Sequence, residues 1–547
     1  MKKNLLFLIL LLLGASKSFS QNASLPNGIV QNDAPFLNTV FDNYGNKYSL
    51  KDILIKPMLN STNLMEDPTC SSGIFNLHFT IGSGMEGNSA VEISRRAVVC
   101  QVFSDLSNFI NSPLHNAGNS AKVEIWVRDI SPLLTTPAAT NAALGMATGF
   151  YCLPGNSGIS NGGIADNEIW KTIHTGTNSY ANVSPPIVTN SGIVDNTNNA
   201  NAYYHGMVAL NFSNPNVNWN YNLSGNAASN QYDLYTVVLH EVTHALGFAS
   251  LIDANGQSTL GAAYPYYSRF DTFLRDTNNQ PLISTPTCSM YNNGFLANTS
   301  ILQPNCTTNY QTNHTNCTTA IKFVGTLNTI PVYNPDCYEI GSSLSHLEDE
   351  CFINGGGNPY GNDLYFVMSN ANGNGVTKRF LKPEEKNTLC DIGYNLKNTF
   401  GQSSTYNGTH TYAATSCSGI TVAGANDTGF LVDNNTNISL STILNNDTNA
   451  SGFECLQDVY DNTTFLNGLQ APLSGTSATT VTFSSAVNGM HLLRYVPINT
   501  NGQKGNITYV YVFVKSASGI VGGDCDAPSA CNLVINGGFE ETGQNFV

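Results

Sequence analysis

Residues 237–250 read VVLHEVTHALGFAS and contain His240-Glu241-Val242-Thr243-His244, followed by Ala245-Leu246-Gly247. On a helix, residues four apart lie on one face a turn from each other, so His240 and His244 can grip a single ion. Glu241 lies beside them and can reach a water next to that ion. Zinc lowers the pKa of such a water towards neutrality, and a carboxylate can take its proton and pass it to a leaving amine. The pair of histidines is therefore read as two zinc ligands and Glu241 as a general base. A catalytic zinc normally has three protein ligands and one open position. The compact position for a third, three residues past Gly247, holds Ser250, a poor ligand.

Other candidates for the third ligand are few. No glutamate lies between Glu241 and Glu339, which removes a glutamate some twenty-odd residues downstream. Asp271 is available, but Arg269-Phe270-Asp271-Thr272-Phe273-Leu274 reads as a strand rather than a metal loop. Only His314, His346, His410 and His491 follow His244. His410 and His491 fall in the β-rich tail. The residues alone leave His314, between Cys306 and Cys317, and His346, in Ser345-His346-Leu347, both open.

These motifs resemble a known group. His240-Glu-Val-Thr-His-Ala-Leu-Gly-Phe248 is similar to the leishmanolysin-like branch of the metzincin zinc metallopeptidases, with bacterial secreted members. The resemblance extends over roughly residues 70–398, through the Arg95-Arg-Ala-Val-Val-Cys-Gln-Val-Phe stretch and Leu389-Cys-Asp-Ile-Gly-Tyr394. It implies a long insertion before the third zinc histidine, which it places at His346, and a methionine turn at Met368. It also implies an α+β zincin fold, one catalytic Zn2+ and a polypeptide substrate in a cleft above the motif helix. Gly247 has its own physical reason, because a helix ending in a left-handed turn favours glycine. Members carry a propeptide, sometimes with a cysteine on the zinc. Cys70 is the candidate, and its alternative is a half-cystine tying down the start of the domain. Tyr365 and His205 are candidates for steadying the oxyanion.

The elements that must position these residues follow from periodicity. Ile74, Leu77 and Phe79 mark a strand, and Ala90–Ile110 an amphipathic helix with Val98, Val102, Leu106 and Phe109 on one face. Val123–Val127, Ile169–Ile173, Tyr204–Phe212, Ser268–Phe273 and Ala320–Val324 read as strands. Asp233 is placed to cap the motif helix, and Pro383–Leu396 reads as helical. Residues 251–340 are rich in loops, and the cysteines among them suggest cross-linking.

Composition sets the outer bounds. The chain has 547 residues, enough for two or three domains, with 41% hydrophobic and only 11% charged residues. A net charge of -15 and the lack of a basic run argue against nucleic-acid binding. Lys2 and Lys3 before the apolar Leu5–Leu13, with Ser18 and Ser20 beyond, read as a signal peptide over 1–20. Export permits disulfides, and 13 cysteines leave at least one outside any intrachain pairing. Residues 21–69 read as an irregular propeptide or N-terminal extension, and 70–398 as the metallopeptidase domain. Residues 401–517 read as an all-β immunoglobulin- or cadherin-like sandwich, in which Ile507, Tyr509, Tyr511 and Phe513 alternate with Thr508, Val510 and Val512. Residues 518–547 read as a linker and the opening of a further binding module.

The expectation is thus a secreted or cell-surface zinc endopeptidase. It is taken as a monomer, with tail modules that contact a surface or glycan and Asp/Asn-rich loops that are candidates for Ca2+. The rival is an adhesin or surface binding protein built on a catalytically dead zinc domain, against which the intact Glu241 argues.

Overall fold

In the computed structural model the described residues are 29–30, 39–55, 69–111, 121–134, 143–153, 163–302, 321–348, 366–397, 417–458 and 482–515, less short breaks at 177, 183–186, 190–191, 195–201, 261–264, 285–293, 336 and 371–372. The expected signal peptide, His314, Tyr365 and the 518–547 segment lie outside them.

Near the start of the chain, strands β1 (Thr39–Phe41) and β2 (Lys47–Ser49) form a hairpin. Strands β3 (Thr69–Ser72) and β4 (Phe75–Phe79) follow, then helix α1 (Ala90–Phe109) and strand β5 (Val123–Asp129). Strands β6 (Gly145–Gly149) and β7 (Tyr151–Cys152), helix α2 (Glu168–Thr175) and strand β8 (Gly206–Leu210) lead to the motif helix α3 (Leu234–Ala245). Helix α4 (Pro383–Asp391) comes later.

The main sheet has the order β3-β4-β5-β8-β6. Its β4-β5-β8 centre is parallel, and both flanking strands run antiparallel to it. Parallel strands buried on both faces should be apolar throughout. Gly206–Leu210 is accordingly buried at every position. Helices α1 and α3 pack on this sheet through Val98, Val102 and Leu106 and through Val238, Val242 and Ala245, all in one core. Ser89 caps α1 in a capping box with Glu92.

Two strand expectations are corrected. Ile169–Ile173 lies inside helix α2, where Asn167 caps the start and Gly176 closes the end in a left-handed turn. Its β-branched residues face the core on helical spacing, and tertiary burial overrides their strand preference. Ser268–Phe273 divides into a strand end, Tyr266–Ser268, and a 3-10 turn over Phe270–Phe273.

The N-terminal extension is not irregular throughout. Val40 and Ile53 are fully buried and share a core with Phe150, Tyr180, Tyr204 and Met207. Strand β1 also pairs antiparallel with β7. The hairpin is therefore built into the unit that carries the motif helix.

Beyond it, strands β9 (Asp427–Asp433), β10 (Gly452–Asp458), β11 (Asn488–Ile498) and β12 (Thr508–Lys515) form a second sheet. Strand β11 pairs with β10 and β12, and β9 lies parallel to β12. A small pair, Ile438–Ser439 with Thr482–Phe483, adds its own residues to the core of this unit. Along β12 the core set is Val510, Val512 and Val514, while Tyr509 lines a pocket with Tyr266 of the motif-helix unit and with Arg494. Arg269 joins the two units by pairing with Asp166 and donating to Gly505 O at 2.9 Å.

Cys70 is bonded to Cys100, and Cys390 to Cys417. Cys152 is the free thiol among the described residues. No described helix is long and apolar enough to cross a membrane.

Candidate metal centre

The motif helix starts where sequence places it. Asp233 accepts from Thr236 N at 3.1 Å and forms a buried ion pair with Arg379 at 2.6 Å. The helix ends as Gly247 takes a φ of +103°, a left-handed conformation that favours glycine. The chain then turns away, and Asp271 ties it down. Asp271 is fully buried and accepts from Ser250 Oγ at 2.6 Å, Leu251 N at 3.0 Å and Ser268 N at 2.8 Å. It is thus an anchor of the loop after the motif, and the group of potential ligands does not include it.

The long excursion returns at His346. The Nε2 atoms of His240, His244 and His346 stand 3.2, 3.1 and 3.3 Å apart, as 240–244, 244–346 and 346–240. The Nδ1 atoms face backbone carbonyls: His240 at Val367 O (2.6 Å), His244 at Phe248 O (2.8 Å) and His346 at Ser342 O (2.8 Å). A carbonyl oxygen only accepts, so each Nδ1 carries the proton and donates it. Each Nε2 is left with a bare lone pair, and no proton lies among the three to join them. A tetrahedral ion with Zn–N of about 2.0–2.1 Å spaces its ligand atoms about 3.3 Å apart. The three histidines form a buried group that could hold a metal ion. Burial pushes His240 down to about 4 and His346 down to about 3, and drives His244 well below the usual range. All three are neutral at pH 7, the form in which histidine ligates.

Glu241 is buried beside them. Burial raises its carboxyl to about 8, against an opposing hydrogen bond from the Ala147 backbone. A cation at the histidines acts in the opposite sense, favouring the carboxylate. Gly145 makes room for it: a Cβ there would lie 3.0 Å from both Glu241 Cγ and Oε1. Glu241 therefore rests against β6, the edge strand of the main sheet.

Met368 is fully buried, and the turn that carries it, Val367–Met368, links two of the histidines. Val367 O accepts a hydrogen bond from His240 Nδ1, while Met368 O accepts from Leu347 N, next to His346, at 2.8 Å. Met368 N donates to Glu385 Oε1 at 2.7 Å, and Lys382 N to Glu385 Oε2 at 2.6 Å.

Sequence reasoning missed three contributors. Glu385 is fully buried at the start of α4, although the charged run Lys382-Pro-Glu-Glu-Lys386 around it reads as a solvated helix start. Asn43 and Tyr44, at the hairpin tip, line a pocket with His244, and Tyr44 feels the charge of Glu241. The signal available for these was the turn composition of Asp42-Asn43-Tyr44-Gly45-Asn46. The structure decides between the two alternatives for Cys70 and places His205. Cys70 is a half-cystine, so its thiol is not offered to a metal. His205 is fully buried and spends its ring on Glu124 N (2.7 Å) and the Asn178 side chain (2.8 Å), in a structural role. Comparison with family models, curated proteins and solved structures finds no match.

Proposed function

We propose that this chain is an exported zinc-dependent endopeptidase of the metzincin kind. In this reading an α+β zincin unit is followed by an immunoglobulin-like sandwich, and the tail tethers the enzyme to a surface or glycan. The observation that carries the reading is the convergence of three Nε2 lone pairs beside a buried glutamate. Neutral imidazole ligands with fixed tautomers suit zinc. When bound, zinc supplies Lewis-acid polarisation of a water and of the scissile carbonyl.

The chain's own residues then divide the work. Val367, Phe248 and Ser342 orient the three rings through their carbonyls. Glu241 takes a proton from the water and returns it to the leaving amine nitrogen. Edge strand β6 offers its free side to an extended peptide, which would pair with it as an added strand. Disulfides support an oxidising compartment, in keeping with export.

The test is Glu241→Gln, measured for zinc content and for casein hydrolysis. Hydrolysis should fall by about 10²–10⁴-fold with zinc content unchanged. Equal hydrolysis by parent and variant would exclude Glu241 as the base. Failure of the zinc-loaded parent to cleave would favour a dead zinc scaffold instead.

A further inference from the structure

Tyr44, at the tip of the β1–β2 hairpin, lines one pocket with His244. The tip is tied to the same strand and loop that hold the site. Asn43 N donates to Thr148 Oγ1 at 3.0 Å, on β6, the strand against which Glu241 rests. Thr259 Oγ1 donates to Asn43 O at 2.9 Å. Asp42, fully buried, shapes the turn: its Oδ1 accepts from Tyr44 N at 3.0 Å and Asn46 N at 2.9 Å, and its Oδ2 from Tyr48 Oη at 3.1 Å. The Tyr44 ring lies over Gly341, where a Cβ would come within 3.2 Å of its Cε1. Gly341 directly precedes Ser342, whose carbonyl orients His346. Tyr44 is thus held against both the strand beside Glu241 and the loop before His346.

The Tyr44 hydroxyl is what this scaffold leaves open. Among the described residues no group accepts its proton. Ser343 and Ser345 of the same pocket also keep their protons, but both are buried and already accept a backbone N–H, from Glu339 at 2.9 Å and from Ser250 at 3.0 Å. Tyr44 is half-buried. A phenol stays protonated well past neutral pH. Burial, then the charge of Glu241, pushes the Tyr44 hydroxyl further up, so the two groups lie within electrostatic reach of each other. Attack of water on a scissile carbonyl forms a C–O bond and moves the C=O electron pair onto the oxygen. A fixed O–H donor beside that oxygen gains strength as the charge builds and needs no reorganisation.

We propose that Tyr44 is a further catalytic residue, donating a hydrogen bond to the oxyanion formed at the scissile carbonyl. The inference rests on the endopeptidase reading. The proton stays on Tyr44 throughout. When the C–N bond breaks, the electron pair on oxygen re-forms the carbonyl, and the amine takes the proton held by Glu241. The hairpin, read from sequence as part of a propeptide or N-terminal extension, then belongs to the working enzyme.

The test is Tyr44→Phe, which keeps the ring over Gly341 and removes the hydroxyl alone. The substrate is a peptide taken from a casein cleavage site. With it, kcat should fall about 10²-fold while KM stays about the same. Zinc content and melting temperature should match the parent. Calorimetry adds a readout apart from turnover. A phosphonamidate analogue of the peptide, whose P–O oxygens mimic the oxyanion, should bind at least about tenfold more weakly to the variant. The product peptide should bind both proteins equally. A kcat equal to the parent's, or equal weakening of phosphonamidate and product, would overturn the proposal and leave the endopeptidase reading intact. So would a Tyr44→Ala variant faster than the parent, which would mark the hairpin tip as a block on the site. No cleavage by the zinc-loaded parent would overturn both.

Discussion

Each site histidine commits one nitrogen to a backbone carbonyl and leaves the other open to a metal ion, so orientation and tautomer are set together. The site is accordingly sensitive to small changes in what surrounds it. Gly145→Ala should place a methyl against Glu241 and displace its carboxyl. We expect kcat to fall about tenfold or more, because a misplacement near 1 Å can cost 10²-fold, while zinc content stays the same. Steady-state kinetics with metal analysis would check this. Gly247→Ala would strain a φ of +103° and should lower stability by about 1 kcal/mol or more, read by urea unfolding.

At the scale of elements, Glu385 joins α4 to the methionine segment by accepting from both Lys382 N and Met368 N. Glu385→Ala leaves two buried amides without acceptors and should cost about 2–4 kcal/mol. Zinc should also dissociate faster, because Val367 O orients His240 from the same segment. Chemical unfolding and zinc transfer to a chelator would measure the two effects. The motif helix was legible because its signals are local: an Asp233 cap, paired histidines and a closing glycine. His346 was legible only through resemblance, since a single histidine a hundred residues away has no periodic signature. Helix α2 was misread because eight residues with isoleucine at two positions carry too little periodicity, although Asn167 and Gly176 marked its ends. Asn43 and Tyr44 were invisible as site residues, because their position depends on β1 pairing with β7 across more than a hundred residues.

Across the whole molecule, the motif-helix and β-rich units meet through charged and polar groups as well as apolar ones. The β-rich unit keeps two carboxyls, Asp427 and Asp447, around the buried Tyr495 hydroxyl at 3.3 and 2.9 Å. Burial, and for Asp427 then the charge of Asp447, raises Asp427 to about 8; burial raises Asp447 to about 7. Both folded values exceed the unfolded value near 3.9, so their contribution to stability is fully present below pH 4 and is lost as pH rises through 7–8. The melting temperature of this unit should therefore fall between pH 6 and pH 9, and Asp427→Asn should flatten that fall. Calorimetry across the pH range would decide, and a melting temperature that rises with pH in the parent would contradict the assignment. The Cys70–Cys100 bond closes a loop of 30 residues. Its removal as a Cys70→Ser, Cys100→Ser pair should cost about 3 kcal/mol, measured by unfolding under non-reducing conditions.

The central claim is that His240, His244 and His346 together hold one catalytic zinc. The most direct measurement is the zinc content of the purified chain beside that of His346→Ala, with casein cleavage followed on the same samples. One tightly held zinc per chain, lost together with cleavage in His346→Ala, is the predicted result. Zinc and cleavage both retained by His346→Ala would contradict it.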